Sequence, residues 1–302
     1  MDLHDICKSL AAEPTAAAEL AAMLPAAVPE QWRDLAAALI GDRQQNQMAS
    51  EGARLRDRAG RVLGICGGQG AGKSSLAAGV VAAAERLGQR AVSLSLDDFY
   101  LTKTQRTDLA RQVHPLLVTR GVPGTHDVAL CIRTIEALLV PGNHQIPRFD
   151  KGQDDRQSRD KWDAVAGPFD LVVLEGWCVG APPQPLGALS APCNELESST
   201  DPQGVWRGYV NDCLRSDYQA LWRLVDELIF LAVPGMDAVL RWRGHQELER
   251  PPELRMASAQ IAEFVAHYER LTRWMLAEMP AIAHLTGVLD DSHNLVELTQ
   301  RR

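Results

Sequence analysis

Gly67-Gly68-Gln69-Gly70-Ala71-Gly72-Lys73-Ser74 fits the pattern G-x-x-x-x-G-K-[ST] and stands between an apolar run, Arg61 to Cys66, and a helix-forming run, Ser75 to Leu87. This stretch constrains the fold more than any other, because the pattern works only as a strand, a tight loop and a helix in that order. Small residues let backbone N–H groups turn inward around a triphosphate, and the helix that begins at Lys73 aims its partly positive end at the same anion. Lys73 then neutralises the β and γ oxygens, and the Ser74 hydroxyl is placed to ligate Mg²⁺. Gly67 to Ser75 is therefore the expected ATP-binding segment. A glycine-rich turn with a solvated lysine is the bland alternative, and the presence of strand, loop and helix in order weighs against it.

Carboxylates appear where such a loop needs them. Ala91 to Leu96 reads as a second strand that ends in Asp97-Asp98-Phe99-Tyr100. In open parallel sheets ligands gather beyond the carboxyl ends of the strands, so an acidic residue there faces the terminal phosphate. One of the two aspartates is accounted for equally well as a helix cap. Phe169 to Leu174 reads as a third strand, and Glu175 at its end has the position of a second metal-facing carboxylate, a Walker B residue. Between them, Arg120-Gly121-Val122-Pro123-Gly124-Thr125-His126-Asp127, then Arg148, Lys151 and Arg156, concentrate polar chemistry suited to an anionic polyol. Thr125 and Asp127 also suit a plain helix cap, and a lone histidine such as His126 is more often structural than catalytic. A fourth strand, Glu227 to Val233, leads into a helix carrying Arg241 and Arg243, either surface cations or the mobile arginines that stabilise a moving phosphoryl group. A long amphipathic helix over Ala257–Met279 and a fifth strand, Leu285 to Leu289, close the pattern.

The remaining sequence narrows the partners. A chain of 302 residues with 46% hydrophobic residues has enough apolar surface for a sizeable core. Its net charge of −8 argues against nucleic-acid and anionic-membrane binding but leaves room for a local basic cleft. The expected partners are ATP and a small anionic hydroxy acid. Six cysteines, with no C-x-x-C pair, predict reduced thiols rather than a zinc site or a disulfide framework. No apolar run approaches the ~20 residues needed to span a bilayer, which predicts a cytoplasmic protein. Residues 1 to 58 are alanine-rich and read as helices broken near Pro14, Pro25 and Pro29, with an apolar stripe through Leu35, Leu39 and Ile40. The four arginines from Arg54 to Arg61 read as a solvated helix face. Residues 177–204, with five prolines, predict a long covering loop, and Val205 to Val225 one helix.

Taken together, the loop, Asp97-Asp98-Phe99-Tyr100 and Leu174-Glu175-Gly176 make the chain resemble the P-loop small-molecule kinases related to uridine kinase, pantothenate kinase and phosphoribulokinase. Within that group it is most similar to the D-glycerate 3-kinase family. Ser95 to Thr102, Arg120 to Asp127, Pro147 to Lys151, Glu175-Gly176-Trp177, Tyr209-Val210-Asn211 and Trp242-Arg243 carry the closer likeness, which spans about residues 61 to 290. The resemblance implies an α/β fold with a parallel sheet of order 2-3-1-4-5 flanked by helices; with the alanine-rich segment read as an added helical layer, the expected division is a helical extension over residues 1–58 and a kinase domain over 59–302. It implies ATP and Mg²⁺ as cofactors, with the metal near Ser74 and Glu175, and Lys73, Glu175, Arg241 and Arg243 as catalytic groups. By motif match the base facing the acceptor hydroxyl is Asp97, with Asp98 second. Asp127 falls on the position that binds substrate hydroxyls, and Tyr100, Thr125 and His126 accompany it. Arg120, Arg148, Lys151 and Arg156 remain candidates for a substrate carboxylate. A kinase for another acceptor (pantothenate, a nucleoside or a sugar phosphate) and a non-catalytic ATP-binding protein are the rival readings.

Overall fold

A computed structural model of the chain describes residues 14–49, 60–248 and 255–301. The arginines before Gly60 and the Pro251-Pro252 stop lie outside the described residues. Two helices, α1 (Pro14–Ala22) and α2 (Glu30–Ala49), precede the loop unit, which consists of β1 (Arg61–Gly67) and α3 (Lys73–Arg86). Next come β2 (Ala91–Ser95), α4 (Lys103–Gln112) and α5 (Val128–Leu138), then four short strands, β3 (Gly142–Ile146), β4 (Phe149–Asp150), β5 (Asp155–Arg156) and β6 (Asp163–Gly167). The chain returns to the centre through β7 (Leu171–Gly176), and α6 (Glu195–Thr200), α7 (Val205–Arg215) and α8 (Asp217–Trp222) follow. It ends with β8 (Glu227–Ala232), α9 (Met236–Leu248), α10 (Ser258–Ile282), β9 (Leu285–Leu289) and β10 (Leu295–Gln300).

The main sheet has the order β10-β9-β8-β1-β7-β2. Its five parallel strands reproduce the expected order 2-3-1-4-5, and β10 adds an antiparallel edge beside β9. Successive side chains on a strand point to opposite faces, and here both faces are covered. Leu63, Ile65, Leu171 and Val173 pack into one apolar layer, whereas Val62, Cys66, Val172 and Leu174 pack into the other. The continuous apolar runs in the sequence follow from this two-sided burial. No described helix is long and apolar enough to cross a membrane.

On the first face α2 lies against α3. Leu35, Leu39 and Ile40 are buried as the apolar stripe predicts, and so is Trp32. Gly72 has φ +82, the left-handed conformation that ends the phosphate loop, and an added Cβ there would lie 2.6 Å from the Trp32 ring. The N-terminal helices thus support the back of the phosphate loop. Two expectations about local structure need correction. The predicted helix from Val205 to Val225 is two, divided at Ser216, where ψ of −96° leaves the helical range. The covering segment 177–204 contains α6, started by the Asn194 side chain accepting from the Glu197 N–H. A Thr102–Gln105 capping box starts α4.

Candidate active site

In register, Ile65 of β1, Glu175 of β7 and Ser95 of β2 form one row across the sheet. The phosphate loop, Glu175 and Asp97 therefore emerge side by side at the carboxyl ends of three adjacent strands. Lys73 folds its Nζ back to donate to the Gly68 carbonyl at 3.0 Å, and the Ser74 hydroxyl donates to Glu175 Oε1 at 3.1 Å. Two oxygen atoms of the kind that suits a hard cation thus meet beneath the loop. Burial pushes the neighbouring Cys66 thiol up to about 12, so it is inert beside them.

Both oxygens of Asp97 are engaged. Tyr100 Oη donates to Oδ1 and Lys151 Nζ to Oδ2, each at 2.8 Å. Burial alone would raise this carboxyl; the Lys151 charge, reinforced by hydrogen bonds from Lys151 and Tyr100, holds it below its ordinary value instead. Behind it, His126 stacks on Tyr100 with ring centroids 4.5 Å apart. The Tyr218 hydroxyl accepts from the Gly124 N–H at 3.1 Å and sits 2.6 Å from His126 Nδ1. Burial drops the His126 pKa to about 4, so the ring is neutral at physiological pH.

A cavity of about 280 Å³ joins these groups, lined by Lys73, Ser74, Asp97, Tyr100 and Glu175 together with Arg120, Lys151 and Arg243. Several residues expected here are engaged elsewhere. Asp98 accepts from Arg148 Nη1 at 2.7 Å and from the Phe149 N–H at 3.1 Å, so it anchors the β4–β5 hairpin. Arg148 is completed by Asp163. Arg156 holds the Tyr100 carbonyl and Asp127, whose other oxygen caps α5 through the Leu130 N–H. Thr125 closes its own turn between the Gly121 N–H and the Val122 carbonyl. Arg241 pairs with Asp291 after β9, away from the cavity, while Arg243 and Gln246 of the same helix line it.

Six cavity residues are not among the site candidates read from the sequence: Ser95, Gly176, Trp177, Gln246, Phe264 and Tyr268. Trp177 was quoted only within a motif. Its position two residues after Glu175 was an available signal, but α10 carries Phe264 and Tyr268 from far along the chain and reads as plain amphipathic core. These aromatics do not form a slot for a flat base. Trp177 and Tyr268 meet edge to face at 75°, Phe264 is tilted 52° to Tyr268, and both Trp177 and Tyr268 are buried.

No protein-family model matches the chain. It is 34% identical over 220 residues to the uncharacterized kinase mug58 of Schizosaccharomyces pombe, a match covering 68% of this chain and 78% of that protein. It is 29% identical over 220 residues to the chloroplastic D-glycerate 3-kinase of Arabidopsis thaliana, of which it covers 46%. Among solved structures, the D-glycerate 3-kinase of Cryptococcus neoformans superposes with a TM-score of 0.70 at 24% identity, over 85% of this chain and 94% of that one. Together with the phosphate loop, these likenesses mean that the chain belongs to one family with the fission-yeast kinase mug58, a family of ATP-dependent phosphotransferases, and that it is similar in sequence and fold to D-glycerate 3-kinases.

Proposed function

We propose that this chain transfers the γ-phosphoryl group of ATP to the 3-hydroxyl of D-glycerate. The observation that carries this reading is the single cavity shared by Lys73, Ser74, Glu175, Asp97 and three further cations, room for a terminal phosphate and a small anionic acceptor together. The names of the plant and fungal relatives favour D-glycerate as that acceptor. Lys73 and the loop amides hold the β and γ phosphates. The nucleoside end lies along the outer flank of the loop, where a cleft of about 850 Å³ opens between Trp32, Gly72 and His293. Ser74 Oγ and Glu175 Oε1 would be the protein's oxygen donors to Mg²⁺, an ion that takes few protein ligands beside phosphates and water. The ion would neutralise charge on the β and γ oxygens.

The acceptor oxygen forms the new P–O bond as the bond to the ADP oxygen breaks, and its proton passes to Asp97. Arg243, on the cavity wall, offsets the charge on the moving phosphoryl group. Arg241 holds α9 to the Asp291 loop and acts only through that contact. A coupled ADP-release assay with Mg-ATP tests the reading against D-glycerate, L-glycerate, glycerol, pantothenate, uridine and ribulose 5-phosphate. Turnover selective for D-glycerate is expected, with phosphorus on the 3-oxygen by NMR of the product. Faster turnover of another acceptor, or silence on the whole panel with ATP bound, would reject the substrate.

A further inference from the structure

We propose that Arg120 selects an acid as acceptor by a two-pronged hydrogen bond to its carboxylate, and that Lys151 serves the base Asp97 rather than that carboxylate. This rests on the glycerate reading above. Of the four basic candidates named from the sequence, Arg148 and Arg156 do not line the cavity and are spent on Asp98, Asp163, Asp127 and the Tyr100 carbonyl. Lys151 reaches the cavity, but its Nζ already sits 2.8 Å from Asp97 Oδ2. Arg243 lines the cavity too, but its guanidinium is paired with Glu247 and lies 5.1 Å from the Phe264 ring centroid. Arg120 remains.

Its placement is built in depth. The Tyr268 hydroxyl donates to the Arg120 carbonyl at 3.2 Å, and Trp177 Nε1 donates to the Gly121 carbonyl at 2.8 Å. Gly121 has φ +133, and a Cβ there would lie 2.1 Å from the Tyr268 oxygen, so the backbone approaches closely where only glycine fits. The Arg120 guanidinium lies 5.5 Å from the Phe149 ring centroid and donates to Asp154 Oδ1 and, at 3.4 Å, to the Lys151 carbonyl. Three of the five N–H bonds of a guanidinium remain after those two, enough for a bidentate carboxylate. Asp154 does not cancel the charge alone. The buried Arg106 holds its main-chain oxygen at 2.6 Å and its Oδ2 at 3.0 Å, so one carboxylate is shared between two guanidiniums. The net positive charge of that trio faces an acid acceptor.

Lys151, Tyr100, His126, Tyr268 and Cys178 surround Asp97, and Lys73, Glu175, Arg120 and Arg243 line the same cavity. Burial keeps the histidine, the tyrosines and the thiol neutral near pH 7, and among the charged groups Lys151 is the one hydrogen-bonded to the Asp97 carboxylate. Lys151 thereby sets the pH range in which Asp97 is ionised.

Steady-state kinetics of the full chain, with D-glycerate and glycerol as paired acceptors, tests both assignments. Arg120→Gln is expected to raise KM for D-glycerate on the order of a hundredfold and to abolish the preference for glycerate over glycerol, with KM for ATP and the melting temperature near wild type. Arg120→Lys should restore only part of the preference, because an ammonium lacks the planar fork. Lys151→Met is expected to keep the preference and to move the acidic limb of kcat/KM to higher pH, since burial then acts on Asp97 with less opposition. If Arg120→Gln retains the preference, or Lys151→Met loses it with the acidic limb unmoved, the assignment is overturned. Wild-type turnover separates this from the function reading. A wild type that prefers another hydroxy acid rejects glycerate, and the same variants then test Arg120 on that acid and its uncharged analogue. A wild type that uses only acceptors without a carboxylate overturns both.

Discussion

Replacing Lys73 with Ala is expected to lower kcat by about 10²–10³-fold and to weaken ATP binding in the same variant, the scale seen when one preorganised donor to developing charge is removed. Lys73 is the first residue of α3, and its Nζ turns back over the loop to the Gly68 carbonyl at 3.0 Å. A terminal phosphate on the loop replaces that carbonyl as its partner. The backbone amides remain in the variant, so part of the phosphate affinity survives; what is lost is the full positive charge at the β and γ oxygens. The fold should be unaffected. The buried face of α3 is made by Leu76, Val80, Ala83 and Ala84, none of which depends on the lysine side chain, and the loop geometry rests on Gly72 against Trp32. An ATP titration and steady-state rates check both halves, with a thermal melt as the control. ATP binding at wild-type strength would remove the loop from its phosphate role.

The parts of this site that the sequence shows are those fixed by local chain order. A strand, a glycine-rich turn and a helix occupy consecutive residues, so Gly67 to Ser75 is visible without any knowledge of tertiary contacts. Asp97 and Glu175 follow apolar runs directly, and two-sided burial of parallel strands makes those runs easy to see. Asp98, Asp127, Arg148 and Arg156 lie in polar stretches that read as a pocket, but in space they pair with each other and hold the β4–β5 hairpin and the 125–127 turn against Tyr100. A charge cluster in sequence carries no sign of mutual neutralisation. The residues that sequence reading missed depend on distant partners. Tyr268 and Phe264 lie on an amphipathic helix, where an aromatic facing a cavity and one facing the core have the same spacing. Arg106 looks like a surface residue of a charged segment, yet it is buried with its guanidinium on the Leu101, Val118 and Asp154 carbonyls. The added strand β10 is an edge with one fully buried residue, Leu295, so it lacks the apolar run that marked the other five.

Replacing Asp97 with Asn is expected to cut kcat by about 10²–10⁴-fold, the contribution of a positioned general base, while ATP affinity stays close to wild type. The amide keeps the shape and one acceptor oxygen, so Tyr100 can still donate to it, but the charge that draws Lys151 Nζ is gone. The pH profile makes the test specific. Burial acts to raise the Asp97 pKa, Lys151 and Tyr100 outweigh it, and the net shift is downward. A base must be deprotonated to accept a proton, so its working form is complete above that lowered value and is lost as pH falls through it. Wild-type kcat/KM should therefore stay flat from neutrality down through the ordinary carboxylate range and fall only below it, and this acidic limb should be absent from the residual activity of Asp97→Asn. The lowered value also limits what the base does. A weakly basic carboxylate gains little by taking the proton early, so its main contribution is to orient the hydroxyl and receive the proton as the P–O bond forms. Asp98 is no substitute, because Arg148 and the Phe149 N–H occupy its two oxygens. A loss smaller than about tenfold, or an acidic limb unchanged in Asp97→Asn, would take the base away from this residue and return the reaction to alignment and charge alone.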